Sequence, residues 1–502
     1  MKTRTLRILS WLLALLMITS SLVACDTESE SYSDEPDLTN AFSDLESPSE
    51  TETEIQDFMP DIEKKDYGEA FNMLIMSASN MTKYHWIKEG EGDAMTEALF
   101  ARQEKVREHL GVELIGTEAN TDHTVYTEPF KTAIKNKDNS IQLMLSHVHS
   151  GVTSLIQSNY LRDYTTVDQF DLDADYWNRE FMEGLSVDNH MYLGRNDFNI
   201  LYTYVISYNK EMMEKYQDTL ESDVYTLVDN YKWTLNQMMS LASQVYIDAT
   251  SDGKSADDTF GITGVQWVPY IGFLHASGIQ YISINEAGNY EVSVYNELYQ
   301  AKTAALIEKL SELAAADYAW FRYKIEPTPL VEMHTGRTLM QLTNTYDLPT
   351  YCNFDVEFGI LPYPMFDEAQ KDIGYRHLQW GGYLCMPSYT ANLEMCAETL
   401  EMLAFFSEDV NVTFYEKLLG KQVADAPLDS KMLDLVWNTL WPEFAQAYDD
   451  VSGGWLYMIP ELTHVGATVQ LASYVKSKET SSNKAIGKFL TLVQKMNEKS
   501  GS

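Results

Sequence analysis

The side chains with the most chemistry to offer in this sequence are its flat ones. Aromatic residues make up 12% of 502 positions, with 32 Tyr and 10 Trp, more than a core alone requires. A saccharide site needs ring faces for the C–H side of a sugar and planar polar groups for its hydroxyls. Trp380 precedes Gly381-Gly382 and Trp455 follows Gly453-Gly454, and glycine lets backbone approach a ligand closely. Both tryptophans are therefore candidates, with simple packing as the alternative. His147-Val148-His149 sets two imidazoles on one face of an extended chain, but no third ligand stands nearby, so no metal is assigned there. The Asp252–Asp258 loop offers carboxylates to calcium without EF-hand spacing and reads as a plain loop. No Gly-x-Ser-x-Gly, His-Glu-x-x-His, P-loop or dinucleotide glycine pattern occurs. With 75 acidic residues in the chain, paired carboxylates are no argument for glycosidase chemistry. No catalytic residue and no cofactor is assigned.

The elements that must position these side chains are legible from periodicity and caps. Phe71–Met76 is a short apolar run, read as a buried strand. Thr96–Leu110 reads as a helix with Leu99, Val106 and Leu110 on one face and Gly111 as its stop. Val112–Ile115 and Ile141–Leu145 read as strands, with a helix from Pro129 to Lys135 between them and another after Gly151. Strand, helix, strand, helix, strand with short links predicts a parallel sheet covered on both faces. Ligands of such sheets lie beyond the carboxyl ends of the strands, which makes Asn80, Ser146 and His149 cleft-facing by topology. Farther on, strands are predicted at 201–208, 260–262, 339–343 and 358–361. Helices are predicted at 298–316 and 393–406, and 411–500 reads as mostly helical around Gly453-Gly454.

The amino terminus sets the compartment. Lys2, Arg4 and Arg7 precede an apolar run from Ile8 to Ile18, the pattern of a secretory signal and too short to span a bilayer. It ends Leu22-Val23-Ala24-Cys25, which resembles the lipobox of bacterial lipoproteins. The resemblance implies cleavage before Cys25, a lipid on its sulfur and a further acyl chain; two chains hold a protein stably at a membrane. From Asp26 to Glu63 there is no Lys or Arg, and the few apolar residues show no period. That stretch is predicted to be a disordered, charge-extended tether. The formal net charge of −39 and the lack of a basic cluster exclude a nucleic-acid partner. Setting Cys25 aside, Cys352, Cys385 and Cys396 make an odd count, which argues against a disulfide framework; Cys385 and Cys396 are read as buried thiols rather than a pair.

Several short stretches, taken in order, resemble the extracellular solute-binding proteins of bacterial ABC sugar importers, family 1, the maltose-binding-protein-like group. They are Ser207-Tyr208-Asn209-Lys210, Trp233-Thr234-Leu235, Asp252-Gly253-Lys254 with Asp258-Thr259-Phe260-Gly261-Ile262, and Glu357 through Pro364 with its Gly-Ile-Leu-Pro-Tyr-Pro. Asp367-Glu368-Ala369-Gln370, Gly382 through Pro387 and Ser430 through Asp434 complete the series. Trp233-Thr234-Leu235 departs from the family's Thr-Trp-Asp-Glu in order and lacks its acids. The resemblance implies a type II, periplasmic-binding-protein-like α/β fold of two lobes with a ligand cleft between them and hinge crossings. It sets the crossings near Asp197–Ile200, Leu361–Met365 and between Gly420 and Leu428. The organisation it implies is a signal peptide at 1–24, the lipidated Cys25 and tether at 25–65, lobe 1 at 66–197 plus 365–425, and lobe 2 at 198–364 plus 426–502. Asn196 and Asp197 then stand at the first crossing, where a carboxylate could clamp a hydroxyl, a turn being the alternative. Trp267 falls near a position where family members place a ligand-contacting aromatic.

The function this implies is a lipid-anchored, monomeric receptor on the extracellular face of the bacterial cytoplasmic membrane. It captures a carbohydrate, an oligosaccharide by this reading, and delivers it to the transmembrane subunits of an ABC permease, without catalysis. The same fold binding a peptide or another solute, a ligand-presenting sensor, and a tethered carbohydrate-active hydrolase are the alternatives.

Overall fold

Strand β1 (Ala70–Met76) buries Phe71, Met73, Leu74 and Ile75 and is the spine of the first sheet. In the computed structural model the described residues are 59–76, 84–87, 92–119, 125–147, 150–251, 253–323, 333–351, 355–419 and 426–500. Cys25 and most of the acidic stretch, Asn80, His149, Asp252, Cys352 and residues 420–425 lie outside them. The chain divides into two units, Met1–Glu63 and Lys64–Ser502, and all the sheets and helices described belong to the second. Strand β1 pairs in parallel with β2 (Glu113–Ala119) and β3 (Leu143–Leu145). Strand β13 (Leu384–Cys385) returns from far along the chain and runs antiparallel to β3, so the sheet order is β13-β3-β1-β2.

Helix α1 (Ala94–Leu110) joins β1 to β2 and is closed at both ends by side-chain logic. Asp93 accepts from the Thr96 amide at its start. Gly111 ends it in the left-handed region at φ 59°. A β-carbon at Gly111 would lie 2.2 Å from the Asp66 carboxylate, so this position needs glycine for space as well as for its dihedral. Helix α2 (Glu128–Asn136) leads into β3, and α3 (Val152–Gln157) comes after it. Helices α6 (Leu393–Phe405) and α7 (Glu408–Leu419) pack against α1.

The second sheet is mixed. Strands β6 (Thr259–Gln266), β9 (Ala319–Tyr323) and β10 (Thr338–Asn344) are mutually parallel. Strand β4 (Tyr204–Asn209) runs antiparallel to β10 and to β11 (Phe358–Leu361), and β5 (Tyr246–Ile247) antiparallel to β6. The order is β11-β4-β10-β6-β5, and β9 also pairs with β6. Carboxyl ends of β6, β9, β10 and β11 therefore gather at the same edge as the amino end of β4. Two small pairs, β7 with β8 (Ile282–Ile284, Tyr290–Val292) and β12 with β14 (His377–Leu378, Leu440–Trp441), lie apart from both sheets.

Two segments join the sheets side by side. Gly194 and Leu384 exchange backbone bonds of 2.8 and 2.9 Å, the Trp380 amide donates to Tyr202 at 2.8 Å, and Thr203 bridges Gln379. The Asn199 amide nitrogen closes the middle on the Gly382 carbonyl. The resemblance puts the second crossing near Leu361–Met365, but hydrogen bonds keep that stretch with the second sheet. Trp233 donates to the Pro362 carbonyl, and Met365 and Leu235 bond across Trp233-Thr234 at 3.1 and 2.7 Å. Neutral His377, held down at about 3 by burial, accepts from the Tyr363 amide. The chain reaches the first sheet only at Leu384.

The stretch Tyr208-Asn209-Lys210 proves to be a clip. Asn209 caps α4 (Lys210–Tyr216) through the Met212 amide, and Tyr208 bonds the Tyr225 hydroxyl at 2.6 Å. Lys210 pairs at 3.0 Å with Asp429 of α8 (Ala426–Asn438), which is wholly buried. Asp429 also accepts from Tyr225 and from the Ile360 amide of β11. Elsewhere, Cys385 and Cys396 are free, buried thiols, raised by burial to about 12 and about 11. Glu401 is buried between the Trp177 indole and the Asp171 amide, and burial raises it to about 7.

These buried charges set two expectations for stability. Asp429→Ala leaves Lys210 uncompensated and is expected to lose about 3–5 kcal/mol, read by denaturant unfolding, while Lys210→Met with Asp429→Leu recovers most of the loss. Glu401 keeps a proton in the folded state that the unfolded chain releases from its ordinary 4.5 upward. Its contribution to stability therefore falls as pH rises from about 4.5 to 7 and is flat on either side. Glu401→Gln should gain on the wild type across that window, and a difference between the two that is independent of pH would contradict this.

Candidate functional site

The gathered strand ends of the second sheet carry a band of rings. Gln266 ends β6 opposite Tyr323 at the end of β9, and Asn344 ends β10 opposite Tyr204 at the start of β4. Trp267 comes directly after β6 and opens helix α5 (Val268–Ala276). Its indole stacks on Tyr457 at 4.7 Å and 13° and meets Tyr323 edge-on at 5.6 Å. Tyr323 in turn stacks on His464 at 4.2 Å. All four rings are half-buried, as a surface for stacking must be. Burial holds the Tyr457 and Tyr323 hydroxyls above their ordinary range, so both are neutral donors with apolar faces.

The band continues inward. Tyr204 meets Trp380 edge-to-face at 5.8 Å and lies within electrostatic reach of Tyr457, Tyr202 and Tyr363. Tyr202 stacks on Tyr346 at 4.1 Å and 9°, and Tyr346 meets Tyr84 edge-on. Tyr84 lies past the end of β1 in the first sheet and Tyr346 past the end of β10 in the second, so rings from beyond the strand ends of both sheets touch. Trp380 itself is 5% exposed, with its backbone tied to the crossing.

The sequence candidates fare differently. Trp267 and Trp380 belong to the band. Trp455 is fully buried, with its indole nitrogen bonded to Ser482 at 2.9 Å beneath the last helix (Leu471–Ser500) and its ring edge-on to Tyr474. Its place is the core, and its neighbour Tyr457 is the ring that reaches Trp267. Asn196 forms the turn of the first crossing: its side-chain oxygen accepts from the Phe198 amide, and the residue is buried rather than solvated. Asp197 donates its amide to Tyr176, and its carbonyl accepts from Asn411. Ser146 is fully buried, bonded through its hydroxyl and amide to the backbone of Tyr383. Asn80 and His149 lie outside the described residues, as do parts of the His147–His149 pattern and of the Asp252–Asp258 loop. Among the described residues no group of three or more His, Cys, Asp or Glu is placed to hold a metal ion.

Sequence reasoning missed Tyr204, Tyr323, Tyr457 and His464. Three of them carry a positional signal: Tyr204 and Tyr323 stand at strand ends, and Tyr457 comes three residues after the glycine pair; His464 carries none. On the first-sheet side, the short helices α9 (Phe444–Ala447) and α10 (Asp449–Ser452) succeed one another, and α10 meets α3 through a hydrogen bond from Thr153 to Asp450.

No protein-family model and no curated protein matches this chain. Solved structures do. An ABC substrate-binding protein from Listeria monocytogenes, in complex with cycloalternan, is similar over 86% of this chain and 99% of its own, at 12% identity and a TM-score of 0.50. The galacto-N-biose-/lacto-N-biose I-binding protein of the ABC transporter from Bifidobacterium longum, in complex with lacto-N-biose, is similar over 84% of this chain and 97% of its own, at 12% identity and a TM-score of 0.56. The fold is therefore the two-lobed α/β fold of the extracellular solute-binding proteins that the sequence resembles. Both of these neighbours are binding proteins.

Proposed function

We propose that this protein is the substrate-binding component of an ABC importer, which captures a carbohydrate between its lobes and delivers it to a membrane permease. The observation that carries the reading is the band of aromatic rings at the carboxyl ends of the second sheet's strands, where open α/β sheets hold their ligands. Stacked, half-buried Trp and Tyr faces suit the C–H face of a sugar, and their hydroxyls suit its polar rim. The cycloalternan and lacto-N-biose complexes hold glycans in a common fold, which supports the same ligand class here. The Leu22-Val23-Ala24-Cys25 stretch supports anchoring through Cys25 at the outer face of the cytoplasmic membrane, with the acidic stretch after it as a spacer.

Two experiments test this. In a thermal-shift screen of the full chain against mono- and oligosaccharides, with short peptides as controls, one glycan class is expected to raise the midpoint by mass action, about 2.7 kcal/mol at a hundred times Kd. Trp267→Ala should weaken that binding about tenfold, ~1.4 kcal/mol; a response to peptide with silence across sugars would discard the carbohydrate. For the anchor, labelled palmitate is expected to enter the wild type and not Cys25→Ala, and label in both would move the lipid elsewhere.

A further inference from the structure

Charge is spread unevenly along this chain. The formal net charge is −39, yet the last helix, Leu471–Ser500, carries six Lys against two Glu. One side of that helix is core: Ile486, Phe489 and Val493 are fully buried. Another side holds Lys484, Lys488 and Lys495, at spacings of four and seven residues that the helical period sets in one line. All three are exposed. Among the described residues none of the three has an ion-pair or hydrogen-bond partner. Elsewhere Lys65, Lys105, Lys232 and Lys431 each reach a carboxylate at 2.5–2.8 Å, as lysines in a chain with 75 acids readily do. Of the helix's own acids, Glu479 lies five residues before Lys484, toward the other side, and Glu498 stands at the end of the line.

The line is notched. Gly487 stands between Lys484 and Lys488, and glycine inside a helix is less stable than alanine. Beyond its chain neighbours and its own helical backbone, no atom lies within 4 Å of where a β-carbon would stand. Packing therefore does not call for this glycine. Its missing side chain helps open a groove of about 490 Å³ lined by Lys484, Gly487, Lys488, Thr491, Leu492 and Lys495. The Thr491 hydroxyl donates to the Gly487 carbonyl at 2.8 Å, so the donors left to a ligand are the three ammonium groups. Leu492, 40% exposed, adds an apolar edge. Lysines around an exposed apolar side chain suit an anionic lipid surface. The net charge does not oppose such a contact at close range. At physiological salt the Debye length is about 8 Å, so the charges that count are those of the face that touches. For a chain lipidated at Cys25, the bilayer is the anionic surface held at high effective concentration. The 38 residues from Asp26 to Glu63 have a contour of at most about 130 Å, which leaves the folded part free to turn this face toward it.

We propose that the Lys484, Lys488 and Lys495 face of the last helix rests on the anionic lipid headgroups of the membrane, with headgroup phosphates seated at the Gly487 notch. The assignment rests on the anchoring of the chain through Cys25 proposed above. The anchor fixes only how far the receptor strays from the bilayer; the lysine face fixes which side it turns to it. Acidic faces are repelled by the same surface, so attraction at one face and repulsion elsewhere select a single orientation.

Amine footprinting of the lipidated protein on vesicles tests it. The protein is reconstituted on phosphatidylcholine, or on phosphatidylcholine with phosphatidylglycerol, and treated with an amine-reactive reagent; peptide mass spectrometry then reads each lysine. Measured against the chain's other exposed lysines, labelling of Lys484, Lys488 and Lys495 is expected to fall about threefold on the anionic vesicles alone. It is expected to recover in 1 M NaCl, where the Debye length is about 3 Å. Equal labelling on the two vesicles overturns the assignment and returns the face to a protein partner, while flotation of the protein with both vesicles keeps the anchor standing. Protection on both compositions that survives salt makes the contact apolar and overturns it too. A fall shared by all lysines shows no preferred face and does the same. Protein that floats with neither vesicle brings down the anchor and this assignment together.

Discussion

The antiparallel pairing of two linking segments, 194–203 and 379–384, is the constraint on which the rest of this structure depends. Either segment alone would be a flexible tie. Hydrogen-bonded to each other at Gly194–Leu384 and Trp380–Tyr202, with Asn199 closing on Gly382, they become a ribbon that fixes which edges of the two sheets share a neighbourhood. The amino end of β4 emerges from this ribbon, and so does the start of β13. Because β4 runs against β10 and β11, its amino end meets their carboxyl ends. The rings of Tyr202, Tyr204 and Trp380 are thus placed by the ribbon rather than by a loop of their own.

Buried charge holds the second sheet to its supporting helices with the same economy. Asp429 accepts from a lysine, a tyrosine and a strand amide, so one carboxylate ties α4, β11 and α8 together. Its worth lies in being fully satisfied, since a desolvated charge is stabilising only when its lone pairs are met. The ring band obeys a different rule. Its phenols are kept neutral by burial, and the band offers area and hydroxyls instead of charge, in a chain whose formal net charge is −39. A neutral surface inside an acidic molecule does not repel uncharged ligands and gives no electrostatic help to anions.

Much of the scaffold was legible because it is local. Periodicity and caps located β1, α1 with its Gly111 stop and the long amphipathic helices, since each is decided by residues within one or two turns. The parallel order of β1, β2 and β3 came from chain connectivity. The misplaced crossing at Leu361–Met365 shows where locality ends: two prolines do stop β11, but the chain beyond them is held by Trp233, more than a hundred residues away in sequence. Strand β9 (Ala319–Tyr323) carries large residues at nearly every position, so no alternation announced it. The candidate site was half legible. Trp267 and Trp380 were visible as candidates, while choosing Tyr457 over Trp455 needed the tertiary contact with Ser482 that draws the larger ring into the core.

The two free thiols among the described residues, Cys385 and Cys396, have a consequence of their own. Cys385 lies on β13, the short strand that completes the first sheet only after the chain has passed through the second, and Cys396 lies in the first turn of α6. Burial keeps both protonated far above neutral pH, and the thiolate is the reactive form. In the folded molecule they are silent toward oxidants and alkylating reagents, whatever the redox state outside. Cys385 becomes reactive only when β13 opens. The chain therefore carries a built-in chemical clock: the rate at which a thiol reagent consumes Cys385 measures how often β13 leaves its neighbour, an event invisible to any probe of average structure.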